Sequence, residues 1–414
     1  FNATNNDSLD CIETLDPTYA TENWTYANGN IDEGVIFEVH CIPFIGPVWH
    51  VSTEGSDLTG NGSEYNPFAT IQTGIDNADH GDTVLVAAGT YVENINYNGK
   101  NIVVKSSHGA DSTIIDGGQN ARVVLLNQGT IHGFTITNGL GGIDSDGGQI
   151  VNCLIINNSL QEDDWYMGGG IYASHWGTED TTFITNVTIT QNSAHHGGGI
   201  MTSNQTIVVI KNSIIRGNET VGYGENITPI QNEIDSEDWA YIINYSNITS
   251  WLDYHDDGEG MIDADPLFCN PDSGDFTLAE NSPCVGTGEN SVNMGAFGVG
   301  CEAINLAPVL ATIEDQQIAE DSILTIGVSA TSFLGYSISF TATSDTSDVE
   351  VSLEDTNLTV TPSLNWFGSS VITVIATDEN ELFDTTGFTL TVNAENDAPV
   401  ASADTVTANE DIEY

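Results

Sequence analysis

A chain of 414 residues, 39 % of them hydrophobic, has room for two or three domains with a sizeable core, which excludes a disordered acidic tail. Its 60 acidic residues face only 5 Lys plus Arg, a formal net charge of −55, and such a surface excludes nucleic acid and anionic lipid as partners. Carboxylates in this number need counter-ions, supplied by a salty medium or by divalent cations, with calcium first because carboxylates are its preferred ligands.

Residues 1–47 are polar and acidic until Gly34-Val-Ile-Phe-Glu-Val-His-Cys41, which reads as a strand. A solenoid end exposes its core and an open edge, so this segment is expected to cap the domain that follows or to reach a neighbouring subunit. The chain opens at Phe1 rather than Met and is read as a mature secreted chain whose leader has been removed. No apolar run approaches the length of a membrane span, so no direct membrane insertion is expected of this segment.

Between about Thr130 and Asn218 one short phrase recurs: Gly133-Phe-Thr-Ile-Thr-Asn138, Asn152-Cys-Leu-Ile-Ile-Asn-Asn158, Asn186-Val-Thr-Ile-Thr-Gln-Asn192 and Asn212-Ser-Ile-Ile-Arg-Gly-Asn218. Aligned on Phe134, Cys153, Val187 and Ser213, the steps are 19, 34 and 26 residues (134 to 153, 153 to 187, 187 to 213). Self-similarity at this period signals a solenoid, and each unit holds one short β-branched strand without helical periodicity. The copies are therefore expected to stack in parallel as the coils of a β-helix, with inward Ile and Val forming the core. Asn after each strand is expected to take up left-handed backbone and to bond its neighbour in the next coil as a ladder. Gly168-Gly-Gly-Ile171 and Gly197-Gly-Gly-Ile200 read as tight corners, and the long step places an inserted loop at Leu160–Met167.

The text around this repeat carries a resemblance. Gly60-Asn-Gly-Ser-Glu-Tyr-Asn-Pro-Phe-Ala-Thr-Ile-Gln-Thr-Gly74 and Gly81-Asp-Thr-Val-Leu-Val-Ala-Ala-Gly-Thr-Tyr-Val-Glu93 resemble the first coils of the pectin-lyase-like right-handed parallel β-helix superfamily. That likeness implies a short helix near Ile71–Ala78 covering the first coil. Asn192-Ser-Ala-His-His-Gly-Gly-Gly-Ile200 resembles repeats of β-helical adhesins. Ile262-Asp-Ala-Asp-Pro-Leu-Phe-Cys269 and Gly274-Asp-Phe-Thr-Leu-Ala-Glu-Asn-Ser-Pro-Cys284 are similar to the closing segment of secreted β-helix proteins. The resemblance covers 48–302 and speaks for fold rather than activity, since that superfamily holds lyases, hydrolases, epimerases and plain adhesins.

After Cys301 the pattern changes to period two, as in Ile323–Val328, Leu358–Thr361, Val371–Ile375 and Phe388–Val392, which reads as a β-sandwich over 303–395. Glu320-Asp321, Ala376-Thr-Asp378 and Asn396-Asp-Ala-Pro399 resemble the cadherin-like or Ig-like tandem modules of bacterial surface proteins. The phrase Asn409-Glu-Asp411 repeats Ala319-Glu-Asp321, so 396–414 is read as the start of a second module. The resemblance implies calcium as cofactor, with Glu320, Asp378 and Asp397 as ligands and Glu395 and Asn396 as accessory oxygens.

Six cysteines without a C-x-x-C pair argue against a zinc ribbon and for disulfides in an oxidising compartment. Cys11 with Cys41 is the first pairing expected; which two of Cys269, Cys284 and Cys301 pair is open, and Cys153 reads as a buried small hydrophobe. Candidate sugar contacts are Trp165, Tyr166, His175, Trp176 and His195, with Tyr223 on the same face and the two histidines stacked in adjacent coils. A lyase would need a basic residue, and Lys211 with Arg216 is the best pair among Lys100, Lys105, Arg122, Lys211 and Arg216. A hydrolase would need paired carboxylates, for which Asp144 with Asp146, Asp163-Asp164 and Asp256-Asp257 beside His255 are candidates. The expected protein is a secreted or cell-surface one for adhesion or extracellular assembly, a self-assembling fibre subunit among its forms, whose partners are carbohydrate or neighbouring subunits. The alternative is a carbohydrate-active enzyme on the same β-helix.

Overall fold

The computed structural model of the protein describes residues 11–14, 17–31, 35–38, 46–160, 167–174, 181–203, 206–221, 231, 233–236, 241–250, 258–399 and 401–404. The chain divides into two compact units, 1–303 and 304–414.

The first unit is a parallel solenoid of three sheets. The first sheet has eight strands running from Val48–Val51 to Tyr241–Asn244, the second has seven from Gly89–Val92 to Asn247–Ile248, and the third has six from Ile95–Asn96 to Ile234–Ser236. The register in the second sheet follows the sequence repeat: Thr135 pairs with Leu154, Leu154 with Thr188 and Thr188 with Ile214. Each is the residue after Phe134, Cys153, Val187 and Ser213. Inward residues stack on their like: Val84, Val104, Ile131, Ile150, Ile184 and Ile210 form one column, all with no exposure. Burying each side chain contributes about 1.5–3 kcal/mol against leaving it in water, before the entropy of ordering is deducted. Cys153 lies in this core as a free thiol, and burial pushes its pKa up to about 11, as suits a small hydrophobe rather than a nucleophile.

The corners refine the sequence reading. At the corner after the first sheet one residue does both, as expected: Asn152 and Asn186 have φ of 51° and 53°, and Asn186 Nδ2 donates to Asn152 Oδ1 (3.0 Å). At the corner after the second sheet the two duties fall on adjacent residues: Asn157, Gln191 and Gly217 have φ of 55°, 55° and 73°, and the residue after each builds the ladder. Asn158 Nδ2 donates to Asn192 Oδ1 (3.0 Å), and Asn192 Nδ2 to Asn218 Oδ1 (3.0 Å), while each amide also bonds backbone carbonyls. The last rung is a carboxylate: Asn218 Nδ2 donates to Glu233 Oε2 at 2.6 Å, so Glu233 stands where a further Asn would. At the glycine corners, a Cβ on Gly169 would lie 2.5 Å from Gly198 O, too close for any side chain.

The expected helix is present as Ile71–Asn77, burying Ile71, Gly74 and Ile75. Its N-terminal N–H groups of Ile71 and Gln72 donate to Glu93 (2.9 and 3.0 Å), which gives the acidic residue of the Ala-Gly-Thr-Tyr-Val-Glu phrase a structural duty. Lys100 Nζ donates to the carbonyls of Ile75, Asp76 and Ala78 at the other end. The closing segment lies over the outer face of the second sheet, where Phe276 packs on Ala110, Leu154 and Ile156, and Leu278 and Met294 on Ile214. Cys269 is bonded to Cys301, which resolves the open pairing, and Cys284 is buried and free. In the N-terminal segment, Cys11–Glu13 pairs in parallel with Ile36–Glu38, and Ala20, Ile31, Val35 and Phe37 form a small core of their own. Cys41 lies outside the described residues.

The second unit packs two larger sheets, with a two-stranded one of Val309–Leu310 and Ala330–Thr331, around one core. Gln316–Ala319, Phe383–Asn393, Gly368–Asp378 and Ile338–Ser344 form one, and Leu324–Gly327, Asn357–Pro362 and Val349–Glu354 the other. Period-two alternation sends Ile372, Val374 and Ala376 inward against Leu358, Val360, Phe388 and Leu390.

Candidate functional site

Of the sugar-contact candidates, Trp165, Tyr166, His175 and Trp176 lie outside the described residues, as does Tyr223. His195 is described: it is half-buried and its ring sits 5.3 Å from that of His196. His196 Nδ1 in turn lies 3.3 Å from Asp235 Oδ2. The expected stacking of His175 on His195 involves a residue outside the described ones; nearby, Met167 bridges to His196 and Ser174 pairs with Ser203.

The calcium candidates separate into two groups. Glu320 accepts from the backbone N–H of Glu395, and its own N–H donates to Asn393 O, so Glu320, Glu395, Asn396 and Asp397 gather where the long strand Phe383–Asn393 ends. Asp378 is at the opposite end of the same sheet, because Gly368, not Asp378, pairs with Val392. Ten residues of extended strand separate Gly368 from Asp378, roughly 33 Å at about 3.3 Å per residue, so one ion cannot touch Asp378 and Glu320 together. Asp378 is buried and instead accepts from Asn305 Nδ2 (2.6 Å) and the N–H groups of Asn380 (2.8 Å) and Leu382 (3.0 Å). Burial raises its pKa, but these donors outweigh it and hold the carboxyl below its ordinary value. Among the described residues, no three or more of His, Cys, Asp and Glu are grouped to hold a metal.

Four of the five basic residues are structurally engaged. Lys100 closes the helix, Lys211 pairs with Glu289 at 3.1 Å, and Arg216 pairs with Asp263 and donates to Asn247 Oδ1. Lys211 ends a strand of the first sheet, whereas Arg216 follows one of the second, so the corner between them keeps the pair off a common face. Arg122 is half-buried on the outer side of the third sheet, its guanidinium donating to Gly168 O and Met167 O, 4.0 Å from Asp144 and 5.3 Å over the Tyr172 ring. Burial and neighbouring Asp146 raise the Asp144 pKa, while Arg122 opposes them.

The outer face of the first sheet has a different chemistry. Its two outward columns are Val48, Thr83, Val103, Thr130, Gln149, Phe183, Val209, Ile242 and His50, Leu85, Lys105, His132, Val151, Thr185, Lys211, Asn244. Neither column contains an Asp or a Glu, in a chain where 60 of 414 residues are acidic. Phe183 is 44 % exposed and Ile242 53 %. An open groove of about 250 Å³ runs along the edge where four of these strands begin, its lining including Asn101, Gln128, Thr130, Gln149, Thr181 and Phe183. Neutral donors and acceptors beside an exposed ring can bind neutral polar groups and apolar surface. The repeat shows where strands of the second sheet lie, but these first-sheet strands lack the Asn-framed phrase. Their shared lack of carboxylates becomes legible only when three strands per coil are assigned.

No protein-family model matches this chain, and no curated protein matches it. What the fold defines is a parallel β-helix followed by antiparallel sheets in a second unit.

Proposed function

We propose that the protein is an extracellular adhesion or assembly protein in which a β-helix of the pectin-lyase-like kind is carried on cadherin-like modules and makes contact through the outer face of its first sheet. The observation that carries this reading is that, among the described residues, neither outward strand column of that face contains an Asp or a Glu, the Glu289 carboxylate beside it being paired with Lys211. Elsewhere the acidity keeps the molecule apart from other acidic surfaces; here apolar, amide and hydroxyl groups are left for contact. Carbohydrate and neighbouring subunits are the partners this chemistry suits. Secretion accords with the disulfide and with the acidic composition.

Beads carrying immobilised neutral and acidic polysaccharides, and beads carrying the protein itself, test the reading with the full chain. Retention on at least one bead type, reduced tenfold or more by Phe183→Asp, is expected. No retention on any, or retention indifferent to the substitution, would sink it. A carbohydrate-active enzyme is the second reading, and the observation favouring it is Arg122 between Asp144 and the Tyr172 ring, with Asp146 close by. Product release from polysaccharide that is lost in Asp144→Asn would replace adhesion by catalysis.

A further inference from the structure

The face just described is arranged to pair with itself. Resting on the contact reading above, we infer that its partner is a second copy of this chain, docked face to face with the two solenoid axes antiparallel. Close approach of two molecules each carrying −55 is opposed everywhere that carboxylates line the surface. Among the described residues the outward strand columns of this face carry none of their own, and Glu289 beside them is paired with Lys211, so two copies can meet here with little apposed negative charge.

The distribution along the eight strands supports a twofold contact. Apolar outward residues lie toward both ends, Val48, Leu85 and Val103 at one and Phe183, Val209 and Ile242 at the other, with Thr130 and Gln149 between them. A twofold axis lying in the face along the strands reverses their order and keeps the columns. Phe183 on the sixth strand then faces Val103 on the third, Ile242 on the eighth faces Val48 on the first, and Gln149 faces Thr130 at the centre. Lys105 meets Thr185, and Lys211, already neutralised by Glu289, meets Leu85, so no two like charges are opposed. An isologous contact of this kind needs one self-complementary patch and closes as a dimer. Eight strands at about 4.8 Å spacing and roughly 14 Å of strand give about 500 Å² per copy, and twice that reaches the roughly 1,000 Å² a specific interface needs. An interface of that size belongs to a weak, reversible dimer.

Sedimentation equilibrium of the full chain at low and moderate salt is the test. The wild type is expected to form a dimer with a dissociation constant on the order of micromolar, tightened by salt because screening weakens the remaining repulsion. Phe183→Asp should raise that constant at least tenfold with an unchanged melting temperature, since the ring is exposed. Adding Val103→Lys to Phe183→Asp should restore dimerisation, because the antiparallel register opposes the two positions. A wild type that stays monomeric at both salts, or a dimer indifferent to Phe183→Asp, would overturn the inference. Failure of the Val103→Lys rescue would overturn the antiparallel register. A monomeric wild type whose retention on polysaccharide beads still falls with Phe183→Asp would leave the face adhesive and remove the second copy as its partner.

Discussion

Glu233 closes the buried asparagine ladder with a side chain that can ionise. Its oxygens accept from Gly217 N (2.8 Å), Asn218 N (3.3 Å), Asn218 Nδ2 (2.6 Å) and Thr249 Oγ1 (3.1 Å). Burial nonetheless outweighs these donors and raises its pKa from 4.5 to about 7. The folded state therefore keeps a proton that the unfolded chain releases. The associated stability is fully present below about pH 4.5 and is lost as pH rises through about 7, on the order of 3 kcal/mol in all. Glu233→Gln keeps a carbonyl oxygen for Asn218 and removes the titration. Thermal melts from pH 4 to 9 should fall across this window in the wild type and stay flatter in the variant, with the variant the more stable at high pH. Parallel curves would mean that Glu233 does not titrate there. Asn at 158, 192 and 218 was legible as a ladder from the repeat; Glu233 was not, because it shares neither the phrase nor the residue type.

At the scale of elements, short helices and strands hold because neighbouring coils complete them. Residues Ile71–Asn77 make only two turns, too few for a stable isolated helix. Glu93, one coil on, takes up two of its orphan N–H groups, and Lys100 takes up three carbonyls at the other end. Glu93→Ala leaves both N–H groups without these partners and should cost about 1–3 kcal/mol by denaturant unfolding, whereas Glu64→Ala on the exposed loop before the helix should cost little. Equal effects would show that the carboxylate does not hold the helix. The helix itself was expected from the opening phrases, yet the partnership with Glu93 depends on coil stacking, which no local pattern reveals.

For the molecule as a whole, the expected calcium dependence is open to test at Glu320, Glu395, Asn396 and Asp397, the expected ligands that lie at one end of the sheet, although among the described residues no three of His, Cys, Asp and Glu are grouped to hold a metal. Binding to the folded state alone adds roughly 2.7 kcal/mol at a hundredfold excess over the dissociation constant. The full chain should melt higher in calcium than in chelator. Asp397→Ala should remove most of that difference, while Asp272→Asn, in the β-helix, should leave it. An identical melting temperature with and without calcium would make these carboxylates a solvated surface.

What the sequence by itself determined was everything written in repetition. The period of Asn-framed strands gave the parallel coils and their register, because stacking places like on like. Period-two alternation gave the sandwich strands, because one face of each must be dry. Tertiary structure alone decided which cysteines meet, since Cys269 and Cys301 are joined by a fold of the closing segment rather than by a spacing rule. It moved Asp378 to the far end from Glu320, because two long antiparallel strands convert neighbouring motifs into opposite ends. It also assembled the face whose outward strand columns hold no Asp or Glu, residues spread from Val48 to Asn244 that become one surface only when each coil returns its first strand to the same side.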